Sequence, residues 1–152
     1  MKRLLIIAAI IFLVLGLLLR PPVNGGKFTS AWGIRPGGPD GWFHTGSDIG
    51  NAVGTPVFPV AGGRITDTGF DDIRGFYIII SHLGIFQSRY YHLNSVLISA
   101  GEKVTGKTKI GTLGNTGLST GAHIHFEIRL FKIPLPAYLL TLPGRLFNLI
   151  GI

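Results

Sequence analysis

Apolar and polar positions alternate in short bursts through most of this chain, and only its two ends follow another pattern. Residues 55–60 (TPVFPV) lead into the turn Ala61-Gly62-Gly63, and residues 64–68 resume the alternation. Residues 76–81 (FYIIIS) follow Gly75 and are too β-branched and aromatic to prefer a helix. Residues 87–93 (QSRYYHL), 109–113 (KIGTL) and 123–130 (HIHFEIRL) complete the series of candidate strands. No stretch from 28 to 130 carries a convincing helical period, so the pattern predicts an all-β domain of antiparallel sheets, folded as a sandwich or an open barrel. In the last strand, alternation puts His123, His125 and Glu127 on one face and Ile124, Phe126 and Ile128 on a core face.

The ends differ. After MKR come sixteen uncharged and almost wholly apolar residues, 4–19, closed by Arg20-Pro21-Pro22. That run is long for a signal-peptide core and slightly short of the roughly 20 residues of a full span. No small-residue cleavage site follows it, so residues 1–22 are expected to be an uncleaved signal anchor forming a transmembrane helix. Lys2 and Arg3 would stay cytoplasmic, which places the domain outside a bacterial inner membrane. Residues 23–27 (VNGGK) suggest a linker, residues 28–130 the folded domain, and residues 131–152 an apolar tail. In that tail Leu135, Leu139, Leu142, Leu146 and Leu149 recur at helix-like spacing, interrupted by Pro143-Gly144. Short helices packed on the β core are expected there; an apolar patch on the membrane, with Lys132 and Arg145 near head groups, is the alternative.

Composition narrows the chemistry. The absence of cysteine excludes disulfides, a thiol nucleophile, zinc fingers and a lipoprotein acylation site, so any metal must be held by histidine and carboxylate. The net charge of +7 suits an anionic polymer or surface, but the basic residues are scattered and form no arm, and nucleic-acid binding is not expected.

The five histidines are His44, His82, His92, His123 and His125. His44 opens HTGSD, an H-x-x-x-D pattern in which Thr45 and Gly46 disfavour a helix and Gly46 supplies a bend that lets His44 and Asp48 share an ion. The spacing alone is not distinctive, since His123 also has Glu127 four residues on. Together with one histidine of the HIH strand, however, His44 and Asp48 make two imidazoles and a carboxylate. That is a three-ligand set for catalytic zinc with water in the fourth position. The other strand histidine would face the same site, where it could take a proton from the water or bond a developing oxyanion.

Through the ordered segments HTGSDIG, GTPVFPVAGGRI, SHLGIFQSRYYHL and AGEKVTGKTKIGTLGNTGLSTGAHIHFEIR, about residues 28–130 resemble the lysostaphin-type zinc endopeptidases, or LytM domains. The resemblance implies an antiparallel β fold with a groove, one zinc ion per chain, and hydrolysis of peptide cross-links in bacterial peptidoglycan. It implies His44, Asp48 and His125 as zinc ligands and His92 and His123 as the catalytic pair, one activating water and the other stabilising the tetrahedral intermediate. His82 falls at a position the family often fills with histidine without using it as a ligand, and both it and Glu127 are expected to be structural. Ala122 and Tyr91 depart from the common proline and alanine, without removing a ligand or a proton-transfer group. The expected partners are a peptidoglycan peptide as substrate and the inner membrane through residues 4–19, with the protein a monomer held near its substrate by the anchor alone. A non-catalytic envelope protein that binds or activates a cell-wall amidase is the alternative, although such domains typically lack a ligand and this chain lacks none. A D,D cross-link between stem peptides and a glycine bridge both remain open as the bond cleaved, with a slight inclination to the former.

Overall fold

The computed structural model describes residues 19–38 and 41–137. The apolar run through residue 18 and the tail leucines from 139 onward lie outside the described residues. Among those described, no helix is long and apolar enough to cross a membrane.

The described residues form twelve strands: β1 (Lys27–Ser30), β2 (Gly33–Gly38), β3 (Gly41–His44), β4 (Ser47–Gly50), β5 (Pro56–Val57), β6 (Gly63–Asp71), β7 (Gly75–His82), β8 (Phe86–Val96), β9 (Lys103–Val104), β10 (Gly111–Leu113), β11 (His123–Leu130) and β12 (Ile133–Leu135). Ten of them make one antiparallel sheet in the order β1-β4-β11-β8-β7-β6-β9, with β10 bridging β8 and β5 and β12 added beside β11. β2 and β3 form a separate hairpin. The expected sandwich or open barrel is thus, in hydrogen-bonding terms, one continuous sheet. Its continuity comes from the eleven-residue β8, which is long enough to change neighbours along its length. Residues 86–91 lie against β11, while Leu93, Ser95 and Val96 pair with β10.

Alternation in β11 is as the sequence predicts: Ile124, Phe126 and Ile128 are buried in the core, and His123, His125 and Glu127 take the opposite face. On β8, Tyr90 sits opposite Phe126 in the core, where its hydroxyl accepts the Val60 N–H at 3.0 Å. That bond answers the one polar atom of a fully buried ring, so the site's supporting layer holds no unsatisfied phenol.

The folded unit extends beyond residues 28–130. Leu19 and Val23 are buried in the same core as Ile49 and Val57, the Arg20 N–H donates to Val60 O, and Phe58 N–H donates to Pro22 O. Residues 19–23 are therefore packed against the domain, and Gly26 lies so close to Ile49 and Val23 that a Cβ would overlap them. At the other end, Leu135 pairs with Ile128 as part of β12, and Ala137 is buried. The helix-like leucine spacing misleads at its first member, because the turn at Phe131-Lys132, both at positive φ, returns the chain alongside β11.

Candidate metal and catalytic site

Two neighbours of β11 assemble the site. β4 pairs with β11 so that Asp48 lies opposite His125, and β8 pairs with its other edge so that Tyr91 lies opposite His125. His44 ends β3, and a short connection through Thr45 and Gly46 turns the chain into β4. Gly46 is required there by space rather than by a left-handed backbone. A Cβ on it would stand 2.6 Å from both His125 Nε2 and Phe126 O, so only glycine lets the loop pass against β11.

His44 Nε2, Asp48 Oδ1 and His125 Nδ1 converge: His44 lies 3.1 Å from Asp48 and 3.0 Å from His125, and His125 lies 3.0 Å from Asp48. All three residues are buried. Their outer atoms fix how the rings present themselves. His44 Nδ1–H donates to Ala31 O at 2.6 Å, and His125 Nε2–H donates to Glu127 Oε1 at 3.3 Å. Each neutral ring therefore turns a lone pair inward, where it meets the Asp48 oxygen and the other ring's lone pair. Three facing acceptors need a positive charge among them. One solution is a proton: burial disfavours the His125 imidazolium, but its bonds to Asp48 and Glu127 outweigh this and raise its pKa to about 9. The same bonds from His125 and His44, against the cost of burial, hold the Asp48 carboxyl well below the usual carboxylate range. The other solution is a divalent cation. At Zn–N and Zn–O distances of about 2.0–2.1 Å, tetrahedral ligand atoms stand about 3.3 Å apart, close to the observed triangle. These three residues are the group among the described residues able to hold a metal ion.

Glu127 supports this triangle from behind. It is almost fully buried, accepts hydrogen bonds from Thr45 Oγ1 and from Arg129 Nε at 2.6 Å, and bonds His125 on the ring edge away from the triangle. A carboxylate in this position sets the tautomer and orientation of a ligand imidazole. The sequence placed Glu127 on the correct face; only the structure gives it this partner.

His123 and His92 stand beside the triangle, their rings 4.8 Å apart at 54°. His123 Nδ1–H donates to Gly121 O at 2.8 Å, leaving Nε2 3.7 Å from Asp48 Oδ1. His92 Nδ1–H donates to Thr116 O at 2.8 Å, which likewise frees its Nε2. Burial, reinforced by the nearby His123 and His125 rings, lowers the His92 pKa to about 4 despite the bond to Thr116. Strict alternation would send His92 into the core with Tyr90. Instead β8 bulges: Ile78 pairs with Tyr90 but Phe76 with Leu93, and His92 adopts φ 61° with its N–H donating to Arg74 O at 2.8 Å. The bulge turns His92 towards the groove that His44, Asp48, His123 and His125 also line, a cavity of ≈ 180 Å³. His82 lies elsewhere. Its Nδ1–H donates to Gly62 O and its Nε2 accepts from Ser88 Oγ, both away from that groove.

This arrangement has close counterparts. The profile of Peptidase family M23 matches residues 42–135, well over half the chain and all five residues of the site. The chain belongs to peptidase family M23. Among M23 relatives, it is 35% identical over 100 residues to the peptidoglycan DD-endopeptidase ShyA of Vibrio cholerae, covering 66% of this chain and 23% of ShyA. It is 33% identical over 107 residues to lysostaphin of Staphylococcus simulans, covering 69% of this chain and 22% of lysostaphin. The chain thus spans about a quarter of the length of such relatives. Its fold superposes on the catalytic domain of S. simulans lysostaphin with a TM-score of 0.71 at 28% identity, over 76% of this chain and 93% of that one. A zinc-containing peptidase from V. cholerae gives 0.72 at 29% identity, over 78% and 38%.

Proposed function

We propose that this M23 protein is a zinc-dependent endopeptidase that hydrolyses peptide cross-links of bacterial peptidoglycan. The observation that carries the reading is the buried triangle of His44 Nε2, Asp48 Oδ1 and His125 Nδ1, with two further imidazoles at its open side. Zinc bound by these three residues would lower the pKa of a coordinated water to about 7 and act as a Lewis acid towards the scissile carbonyl. The chain's own groups handle the protons. His92 and His123 each spend Nδ1–H on a backbone carbonyl and present Nε2 to the groove. One Nε2 takes a proton from the attacking water; the other, when protonated, donates to the oxyanion of the tetrahedral species. The strained bulge at His92 holds its imidazole at the groove, where an unbroken strand would not.

The complete ligand set with both histidines supports catalysis over the alternative of a binding-only amidase activator. ShyA, by name a peptidoglycan DD-endopeptidase, supports the substrate class. The apolar run at residues 4–19 supports an inner-membrane anchor with the domain on the extracytoplasmic side, and residues 19–23 packed on the core would then hold the domain close to the bilayer.

The roles separate in two variants. His125→Ala should lose both stoichiometric zinc and sacculus hydrolysis, whereas His123→Ala should keep zinc and lose hydrolysis by at least ~100-fold. An active His123→Ala protein, or a His125→Ala protein with full zinc and activity, would contradict the assignment.

A further inference from the structure

Arg74 is the feature of the groove that the metal and the histidines do not account for. It sits in the turn between β6 and β7, where Asp71 Oδ1 accepts the N–H groups of Ile73 and Arg74 and Asp71 Oδ2 accepts Arg74 Nε–H at 2.6 Å. Its guanidinium lies over the Tyr77 ring, 3.6 Å from the centroid, and 5.8 Å from that of Tyr91. The turn is fastened to the catalytic side of the fold. Arg74 O accepts His92 N–H, Leu118 N–H donates to Ile73 O, and Gly75, at φ 63°, packs so closely on Thr116 that a Cβ would overlap it. The guanidinium is thus held by an ion pair on its Nε edge and an aromatic ring beneath it.

That immobilisation leaves a donor face unused. Arg74 lines the groove, and neither Nη1 nor Nη2 has a hydrogen-bond partner among the described residues. Asp71 occupies only one edge of the fork and divides its charge between Arg74 and two backbone N–H groups. A planar fork held in one orientation is suited to a carboxylate. The other groove arginine, Arg35, lies 3.9 Å from Asp48 Oδ2 and so belongs with the ligand carboxylate. Tyr91 sets the distance from the chemistry: its ring stacks on the ligand His125 at 5.4 Å and 8°, with the Arg74 guanidinium over it at 5.8 Å from the centroid. A single aromatic ring therefore separates the fork from the metal ligands, a reach of two or three residues of extended peptide at about 3.3–3.6 Å each. Ile73 and Leu118, both exposed, add aliphatic surface on the same wall.

We infer that Arg74 binds a free carboxylate of the substrate close to the scissile bond, so that the groove selects a cross-link made directly between stem peptides over an oligoglycine bridge. Stem-peptide cross-links carry carboxylates and methyl groups near the bond to be cut; an oligoglycine bridge offers neither to Arg74, Ile73 or Leu118. This inference rests on the peptidoglycan-endopeptidase reading above.

The test uses the zinc-loaded full chain in detergent and three synthetic substrates: a cross-linked stem-peptide dimer with free carboxylates, the same dimer with those carboxylates amidated, and an oligoglycine peptide. The free-carboxylate dimer should exceed the amidated one in kcat/KM by roughly 10- to 100-fold. Oligoglycine should be the poorest of the three. In Arg74→Gln the ratio between the two dimers should fall towards one, with the loss carried by KM. Arg74→Lys should restore part of the ratio, since an ammonium supplies charge without the fork. Equal kcat/KM for the two wild-type dimers would overturn the inference. So would a ratio preserved in Arg74→Gln, a loss falling equally on both dimers through kcat, or oligoglycine cleaved as fast as the free dimer. Calorimetric binding of the two dimers reads Arg74 independently of turnover. If neither dimer nor sacculi are cleaved, the peptidase reading fails; equal Kd values for the two dimers would then sink the carboxylate site as well.

Discussion

Replacing Glu127 by glutamine tests whether the buried carboxylate behind His125 serves the metal or only the fold. The substitution preserves size and removes the charge. Glu127 Oε1 accepts from Thr45 Oγ1, His125 Nε2 and Arg129 Nη2, and Oε2 accepts from Arg129 Nε. All of these partners are donors, so whichever way the amide is turned, its NH2 faces an N–H or O–H that had been satisfied. A charge-assisted hydrogen bond is worth about 1.5–3 kcal/mol, and loss of such a partner weakens metal binding by about 10- to 100-fold. The His125–Glu127 separation of 3.3 Å lies at the long end for N–H···O, which selects the lower half of that range. The expected result is a zinc Kd about tenfold weaker, equivalent to about 1.4 kcal/mol, measured by competition with a chromogenic chelator. The apo protein should also lose about 1–2 kcal/mol of stability, since Arg129 keeps partial solvent access that compensates its lost partner. A folded Glu127→Gln protein that binds zinc within about twofold of wild type would return Glu127 to a purely structural role.

Other consequences of the geometry are equally direct. Gly46→Ala would drive a Cβ against the Phe126 carbonyl and the His125 ring. It should cost about 1–3 kcal/mol of stability and more than ~10-fold in zinc affinity, read by denaturant titration and metal competition. Zinc at about 1,000 times its Kd should stabilise the wild type by about 4 kcal/mol in thermal unfolding, and Asp48→Asn should remove most of that shift. His82 should make a pH-dependent contribution to stability. Burial lowers its pKa from 6.5 despite its bond to Gly62, so below that value the unfolded chain binds a proton that the folded chain refuses. Its contribution is full above pH 6.5 and declines as pH falls, so the stability gap between wild type and His82→Gln should narrow from pH 7.5 to pH 5. A gap that widens on acidification would show that His82 is not buried neutral.

What the sequence could disclose followed the reach of its local rules. Period-two alternation located β11 to the residue and aimed His123, His125 and Glu127 at one face, because a strand between two neighbours has little freedom to depart from its pleat. The same rule fails at His92, whose direction depends on a bulge and a positive φ fixed by Arg74 O across a turn, a tertiary feature with no local signature. The family resemblance placed His92 where periodicity could not. HTGSD was legible as a ligand pair, but the reason for its glycine was not, since the crowding comes from β11, some eighty residues away. Short strands such as β9 and β12 were invisible for a related reason: two or three residues pair because a neighbour presents an edge, whatever their own pattern. Composition also records flexibility but not burial, so it gave no sign that Leu19 and Val23 fill the core.

The most direct test of the account is the digestion of purified sacculi by the full chain in detergent, as zinc-loaded, chelated and zinc-restored protein, with the released and residual muropeptides separated by chromatography. Cross-linked dimers should decline and their uncross-linked products rise with the loaded and restored protein, while the chelated protein should leave the profile unchanged. An unaltered degree of cross-linking with zinc bound, or undiminished cleavage after zinc is removed, would contradict it.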